Sequence, residues 1–456
     1  MNGSETICAI ATPLGTGGIG IIRLSGPLAL SIGQALFSSS AFNTAPTPRY
    51  VYYGAILHPV TRHPLDEGCM VYFQGPQSYT GEDVVEIQGH SSPFILKTIL
   101  QACLDSGARL ATKGEFTKRA FIHGKMDLTK AESVIDLIHA HSSQAQSVAL
   151  DHLKGSLHGH IQALRKSLML LLEHMEGSID FPDEIEPLDR THLQEQLQLS
   201  YDKIHRILHL QDFGKHIRSG VLCVIVGKPN VGKSSLLNQF LGEKRAIVSQ
   251  IAGTTRDFIE ADIELGGLTF RLIDTAGVRE AQDTLERLGI KKVKALIEKA
   301  DVVLWVVDGS QPLDATDEAI YKKIKHKKTY WIVNKCDKPQ RLHPKAYSWI
   351  KKLDPLLLSA KKGLALETLK KCLYEDFSKK TDAIDLGLLC NVRQSHCLAQ
   401  AHAALSSLIT SLRMGFEDAV LAIDLKQTLL QLGEITGDSV TEEVLDGVFS
   451  RFCVGK

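Results

Sequence analysis

Neither sign of charge is in excess in this sequence: 52 Lys and Arg stand against 52 Asp and Glu. No global basic field exists to hold nucleic acid, so any RNA contact must come from a local patch or a partner. Long apolar runs are missing as well. None approaches the roughly 20 residues of a membrane helix, so no membrane insertion is expected, while peripheral contact stays open. Nine cysteines are scattered from Cys8 to Cys453 without a CxxC pair or a zinc-like cluster, and no secretory signal is evident. That pattern fits reduced thiols and a cytoplasmic location. A closed metal-ligand set is also lacking. His139, His141, His152, His158 and His160 lie close in sequence, but their spacing matches solvated helix faces rather than a zinc site.

What is present divides into three textures. At 456 residues the chain exceeds one ordinary core, so two to four domains are expected. Residues 1–120 contain short β-like runs such as "ETICAIAT", "IGIIRLSG", "RYVYYGAIL", "GCMVYFQG" and "DVVEIQGH", interrupted by the helical "SSPFILKTILQACLDSG". This reads as an α+β domain. Within it, "GTGGIG" imitates a dinucleotide fingerprint but has no helix after it, which makes a flexible turn between strands the better reading. Residues 121–219 have helical periodicity, and so do 379–456. Between them, 220–378 alternates apolar strands with helical stretches, as doubly wound α/β domains do. The expected architecture is multidomain α/β, with a P-loop domain inserted into a discontinuous helical domain.

The inserted segment carries the clearest chemistry. "VLCVIVGKPNVGKSSLLNQFL" is an apolar strand, a glycine-rich loop and a helix. Its pattern GxxxxGK[ST] lets backbone amides wrap phosphates, sends Lys233 to the β and γ oxygens, and offers Ser234 to magnesium. Asn230, Val231, Gly232 and Ser235 complete this loop. Three more apolar runs end on reactive groups. "FRLIDTAG" presents Asp274, Thr275, Ala276 and Gly277 to magnesium and the γ-phosphate. "YWIVNKCD" presents Asn334, Lys335 and Asp337, whose carboxylate accepts two N–H bonds that guanine offers and adenine does not. "PLLLSAKKG" places Ser359, Ala360 and Lys361 near the guanine oxygen. Ligands bind at such strand ends, and the combination specifies GTP rather than ATP. The loop "RAIVSQIAGTTRD" contributes Ser249, Gln250, Ile251, Ala252, Gly253, Thr254 and Thr255 to the expected site, with Thr255 completing the magnesium shell.

One expected residue is absent. Ras-like GTPases orient the attacking water with a glutamine after DTAG; here Val278 stands there, with no hydrogen-bonding side chain. The chain as a whole resembles the MnmE/TrmE family of tRNA-modification GTPases. GKPNVGKSS, GTTRD, DTAG, NKCD and FCVGK carry the resemblance, with "ATPLGTGGIGIIRLSG", "SYTGEDVVEIQGH" and "KGEFTKRAFIHGKMDLTKAE" near the start. The resemblance implies a Ras-like G domain and a potassium ion in place of an arginine finger. Asn230, Ser249, Ile251 and Thr254 would hold it, Ser249 standing where a threonine is expected. It also implies Glu286 as the residue that positions water, although by itself Glu286 reads as a helix-start carboxylate.

The same resemblance implies a one-carbon tetrahydrofolate (5,10-methylene or 5-formyl) in the amino-terminal domain, contacted by Arg23, Glu86, Lys125 and Lys456. Taken alone, Arg23, Glu86 and Lys125 would pass for surface charges. Cys453 would pass for a buried structural cysteine, whereas the resemblance gives it a role in the chemistry. Implied partners are a second copy through the amino-terminal domain, tRNA, and the FAD-bearing flavoprotein MnmG (GidA) in a heterotetramer or larger assembly. The implied product carries an aminomethyl or carboxymethylaminomethyl group on C5 of the wobble uridine. The competing readings are a ribosome-assembly switch GTPase of the Era or Der kind, and a folate enzyme gated by GTP that needs no tRNA. The amino-terminal module and the cysteine-bearing tail have no place in a pure switch.

Overall fold

A computed structural model describes residues 5–242, 246–247, 259–275, 293–343, 346–350, 353–378 and 385–456. The chain forms two compact units, Met1–Ile138 with His152–Ile204 and His396–Lys456, and His139–Asp151 with His205–Ser395.

The first unit holds a seven-stranded sheet in the order β3-β4-β5-β6-β2-β1-β7. Its strands are β1 Ile7–Ile10, β2 Gly17–Ser25, β3 Phe37–Ser38, β4 Val51–Leu57, β5 Pro64–Phe73, β6 Val84–Ser91 and β7 Arg109–Leu110. All pairings are antiparallel except β1 with β7. "GTGGIG" differs from expectation: Gly17, Gly18 and Gly20 belong to β2, with a register shift between Gly17 and Gly20. Pairing with β6 draws this segment into the sheet. The helix Pro93–Asp105 starts with proline at its first turn, where no N–H is needed. It buries Leu96, Ile99, Ala102 and Cys103 against this sheet.

The helices Leu128–Ile138, Ser156–Asp180, Asp418–Thr436 and Glu442–Phe449 also belong to this unit. Buried Leu157, Ile161, Leu164, Leu168, Leu171 and Met175 recur at three- and four-residue spacing on Ser156–Asp180, the stripe a core-facing helix needs. Leu128, Ala131, Val448, Phe449 and Phe452 form a small core that anchors the last residues of the sequence.

The second unit is a doubly wound sheet in the order β14-β13-β12-β8-β11-β10-β9. Its strands are β8 Val221–Val226, β9 Ala246–Ile247, β10 Ile259–Leu265, β11 Leu268–Asp274, β12 Val302–Asp308, β13 Thr329–Asn334 and β14 Pro355–Leu357. β14, β13, β12, β8 and β11 run parallel; β10 and β9 complete an antiparallel edge. Successive residues of β8 face different cores. Cys223 and Ile225 pack with Leu236, Leu237 and Phe240, whereas Val224 and Val226 pack with Val303, Trp305 and Trp331. Burial on both faces explains why these strands read as continuous apolar runs.

Candidate functional site: a guanine-nucleotide cleft and a second cluster at the tail

Strands β8, β11, β12 and β13 all end at one edge of the sheet, where the last three deliver Asp274, Asp308 and Asn334. The register sets Asp274 beside Ile225 and Asp308 beside Asn334. After β8 the chain turns through the glycine-rich loop into the helix Lys233–Leu241. Gly232 has φ of 101°, and a Cβ there would lie 2.2 Å from Asn334 Nδ2, so only glycine fits. Asn230 also has positive φ, 62°. A cavity of about 670 Å³ opens over this edge, lined by Asn230, Gly232, Lys233, Ser234, Ser235, Asn334, Lys335, Asp337, Ser359 and Lys361. Sequence elements more than a hundred residues apart thus meet around one space.

Ser234 donates to Asp274 Oδ2 at 2.7 Å, so the two groups expected around magnesium touch. A hydroxyl and a carboxylate at a phosphate loop are hard oxygen donors, the set magnesium takes together with phosphate oxygens. Asp274 is fully buried. Thr275 does not point a free hydroxyl at the cavity, because its Oγ1 donates to the Ile225 carbonyl at 2.9 Å. Lys233 donates to the Lys228 carbonyl at 2.8 Å, across the loop it follows.

Asn334 works as a strut. Its Nδ2 donates to the Val231 carbonyl, and its Oδ1 accepts from the Ala360 amide, both at 2.8 Å. One buried carboxamide thereby ties the phosphate loop to the Ser359–Lys361 turn. Ala360 thereby spends its N–H on Asn334. Ser359 donates to Asp337 Oδ1 at 2.7 Å, and this bond holds the Asp337 carboxyl below the ordinary range. An ionised Asp337 is what two guanine N–H donors require.

Sequence reasoning missed Asp308 and Lys228. Lys335 reaches Asp308 Oδ2 at 2.6 Å and the Asn230 carbonyl at 2.8 Å. Burial opposes ionisation of Asp308, but the Lys335 ammonium and Ser310 outweigh it and keep its carboxyl below the usual range. The signal for Asp308 was available: "VVLWVVD" ends on an acid just as "FRLID" does. Ser249, Gln250, Ile251, Ala252, Gly253, Thr254, Thr255, Ala276, Gly277, Val278 and Glu286 lie outside the described residues.

A second cluster sits in the first unit. Arg23 on β2 faces Glu86 on β6 and bonds it at 2.8 Å, both side chains being largely buried. These are not solvated surface charges. The Arg23 guanidinium lies 5.7 and 5.8 Å from the rings of Tyr79 and Phe116, within cation–π range. It also donates to the Gly455 carbonyl at 3.3 Å. The tail reaches it because Phe452 is buried, Val454 bridges to Lys113, and Gly455 turns with φ of 99°. A Cβ at Gly455 would lie 2.5 Å from the Ile10 carbonyl. Burial and the Arg23 charge depress the Lys456 ammonium below the ordinary lysine range, against the pull of Glu86 and Cys453.

Arg23, Glu86 and Lys456 therefore form one cluster of two cations and a carboxylate. Cys453 is exposed, contrary to the buried structural reading. Lys125 takes a different partner, donating to the Pro76 carbonyl at 2.8 Å.

Residues 6–125 match the family described as the GTP-binding protein TrmE N-terminus, and residues 128–453 match the MnmE helical domain. The chain is 41% identical over 454 residues to the tRNA modification GTPase MnmE of Syntrophus aciditrophicus (strain SB), covering 99% of each. It is 42% identical over 455 residues to the protein of that name from Thermotoga maritima, covering 99% of this chain and 100% of the relative. For the Aquifex aeolicus protein of that name the identity is 41% over 457 residues, with 99% and 100% covered. The chain belongs to the MnmE family of tRNA modification GTPases.

Proposed function

We propose that this GTPase hydrolyses GTP in a potassium-dependent manner and, with the flavoprotein MnmG, modifies C5 of the wobble uridine of tRNA with an aminomethyl or carboxymethylaminomethyl group. The observation that carries the reading is the coexistence in one chain of two sites: the strand-end cleft around Lys233, Asn334 and Asp337, and the tail cluster of Arg23, Glu86 and Lys456. A pure switch needs only the first.

In the cleft, the amides of the loop Asn230–Ser235 cradle the phosphates and Lys233 swings from the Lys228 carbonyl to the β and γ oxygens. Ser234 serves magnesium, with Asp274 holding its hydroxyl. Asp337 and the Ser359–Lys361 turn select guanine. Asn230, lining the cleft, is the described member of the potassium shell; the cation supplies positive charge where an arginine finger otherwise would. In the tail cluster, Arg23 and Lys456 suit the carboxylates of a one-carbon tetrahydrofolate and Glu86 suits pterin N–H groups. Cys453 is accessible beside them. Dimerisation through the amino-terminal domain, FAD on the partner and a cytoplasmic location complete the proposal.

Nucleoside analysis of tRNA from cells lacking the gene, with and without complementation, tests it. Loss and restoration of C5-modified wobble uridine is expected; unchanged modification contradicts the reading.

A further inference from the structure

A smaller cavity, of about 270 Å³, adjoins the nucleotide cleft and shares Asn230 and Lys335 with it. Lys228, Asp308 and Asp317 line it. Beside it begins the helix Ala315–Ile324, capped by Asp314, whose carboxylate accepts from the Thr316 and Asp317 amides. Asp317 returns the favour through Oδ2, which accepts from the Asp314 amide at 3.2 Å. This capping box is built from two acids, so two negative charges share one helix start. The helix dipole favours each of them, but they repel one another. Asp317 is 1% exposed, and its Oδ1 meets no donor among the described residues.

The counter-charge comes from the phosphate loop itself. Lys228, the residue after Gly227, reaches Asp314 at 2.9 Å and Asp317 at 2.7 Å. Burial works against its charge, but the two carboxylates prevail and raise its pKa above the ordinary lysine value. A buried carboxylate so engaged does not release its partner cheaply. Meanwhile the backbone carbonyl of Lys228 is the group that Lys233 contacts at 2.8 Å.

We propose that Lys228 is a positioning residue of the nucleotide site, pinning the first arm of the phosphate loop to the helix start at Asp314 and Asp317. Lys335, held by Asp308, pins the second arm through the Asn230 carbonyl. Both arms are thereby tied to the segment 308–317, and Asn230 is kept in a left-handed conformation that a non-glycine residue adopts at a cost. A loop fixed on both sides presents its amides and Lys233 to phosphate without first having to order them. The inference rests on reading the cleft as the nucleotide site.

The test uses the full chain and fluorescent mant-GDP, measuring release rate and thermal midpoint. Lys228→Met is expected to release mant-GDP about tenfold faster, Lys228→Arg is expected to rescue the rate, and Asp317→Asn should resemble Lys228→Met. The double variant should be no worse than either single one, because both remove the same tie. If Lys228→Met does not fold, Asp314→Ser keeps a capping hydroxyl and removes a charge, and faster release is expected there too. Wild-type-like release with only a lowered midpoint, or fully additive effects in the double variant, overturns the proposal. Failure of the wild-type chain to bind mant-GDP overturns the nucleotide reading instead.

Discussion

Truncating Asn334 to alanine tests whether the cleft is organised by its strut. The side chain is buried, and it satisfies one carbonyl of the phosphate loop and one amide of the Ser359–Lys361 turn. Each group left unpaired in a buried place costs about 1–3 kcal/mol, the amide more than the carbonyl, which keeps a second lone pair. The combined penalty is on the order of 2–4 kcal/mol. Part relaxes into the fold and part falls on the ligand, because both loops line the same cavity. If half reaches the ligand, mant-GDP affinity falls roughly 5- to 30-fold. The remainder lowers the thermal midpoint of the unit by about 2–8 °C. Asn334→Asp is a sharper probe: it keeps the acceptor for the Ala360 amide but turns an oxygen toward the Val231 carbonyl, and should be at least as damaging. Affinity within about threefold of wild type in both variants, with an unchanged midpoint, refutes the strut.

Replacing potassium by sodium should slow GTP turnover by the purified chain, and equal rates in the two salts remove the cation from the account. Glu115 gives a pH prediction: burial raises its pKa, but hydrogen bonds from Arg109, the Thr112 amide and Arg119 prevail and set it at about 2. A depressed carboxylate stabilises the fold above its unfolded pKa and loses that contribution as pH falls from about 4.5 toward 2. The shift caps the contribution at about 3 kcal/mol, and solvent screening reduces it to on the order of 1–2 kcal/mol. Glu115→Gln should therefore flatten the acid limb of the melting curve without altering the slope above pH 6, and an unchanged acid limb contradicts the assignment. Cys453→Ser should keep its thermal midpoint and GTP turnover while losing tRNA modification, and retained modification argues against a chemical role for the thiol.

The nucleotide cleft was legible because the central parallel strands are largely buried on both faces and run into the residues that do chemistry. "FRLID" and "YWIVN" are visible as largely apolar runs with a polar end, and "VLCVIV" as an apolar run that leads into the glycine-rich loop. Which polar end serves which partner was less visible. Asn334 and Thr275 turn inward to bind backbone, and Asp308 escaped notice because aspartate after a strand is also an ordinary turn residue. The tail cluster was illegible from the residues alone. Arg23 and Glu86 are 63 positions apart and meet only through the β2–β6 register, and nothing in "FCVGK" says that Gly455 lies against the Ile10 carbonyl. There the family resemblance supplied the candidates; the sheet brought Arg23 and Glu86 together, and the tail added Lys456. "GTGGIG" misled for the complementary reason: glycines look like a turn until a partner strand is known.

The most direct measurement separates the two sites. Null cells are complemented with wild type, Ser234→Ala or Arg23→Gln, and C5-modified wobble uridine is quantified in their tRNA while GTP turnover and thermal midpoint are measured on each purified chain. Ser234→Ala is expected to lose both turnover and modification, whereas Arg23→Gln is expected to fold and keep turnover but fail to restore modification. Full restoration by a folded Arg23→Gln variant contradicts that expectation.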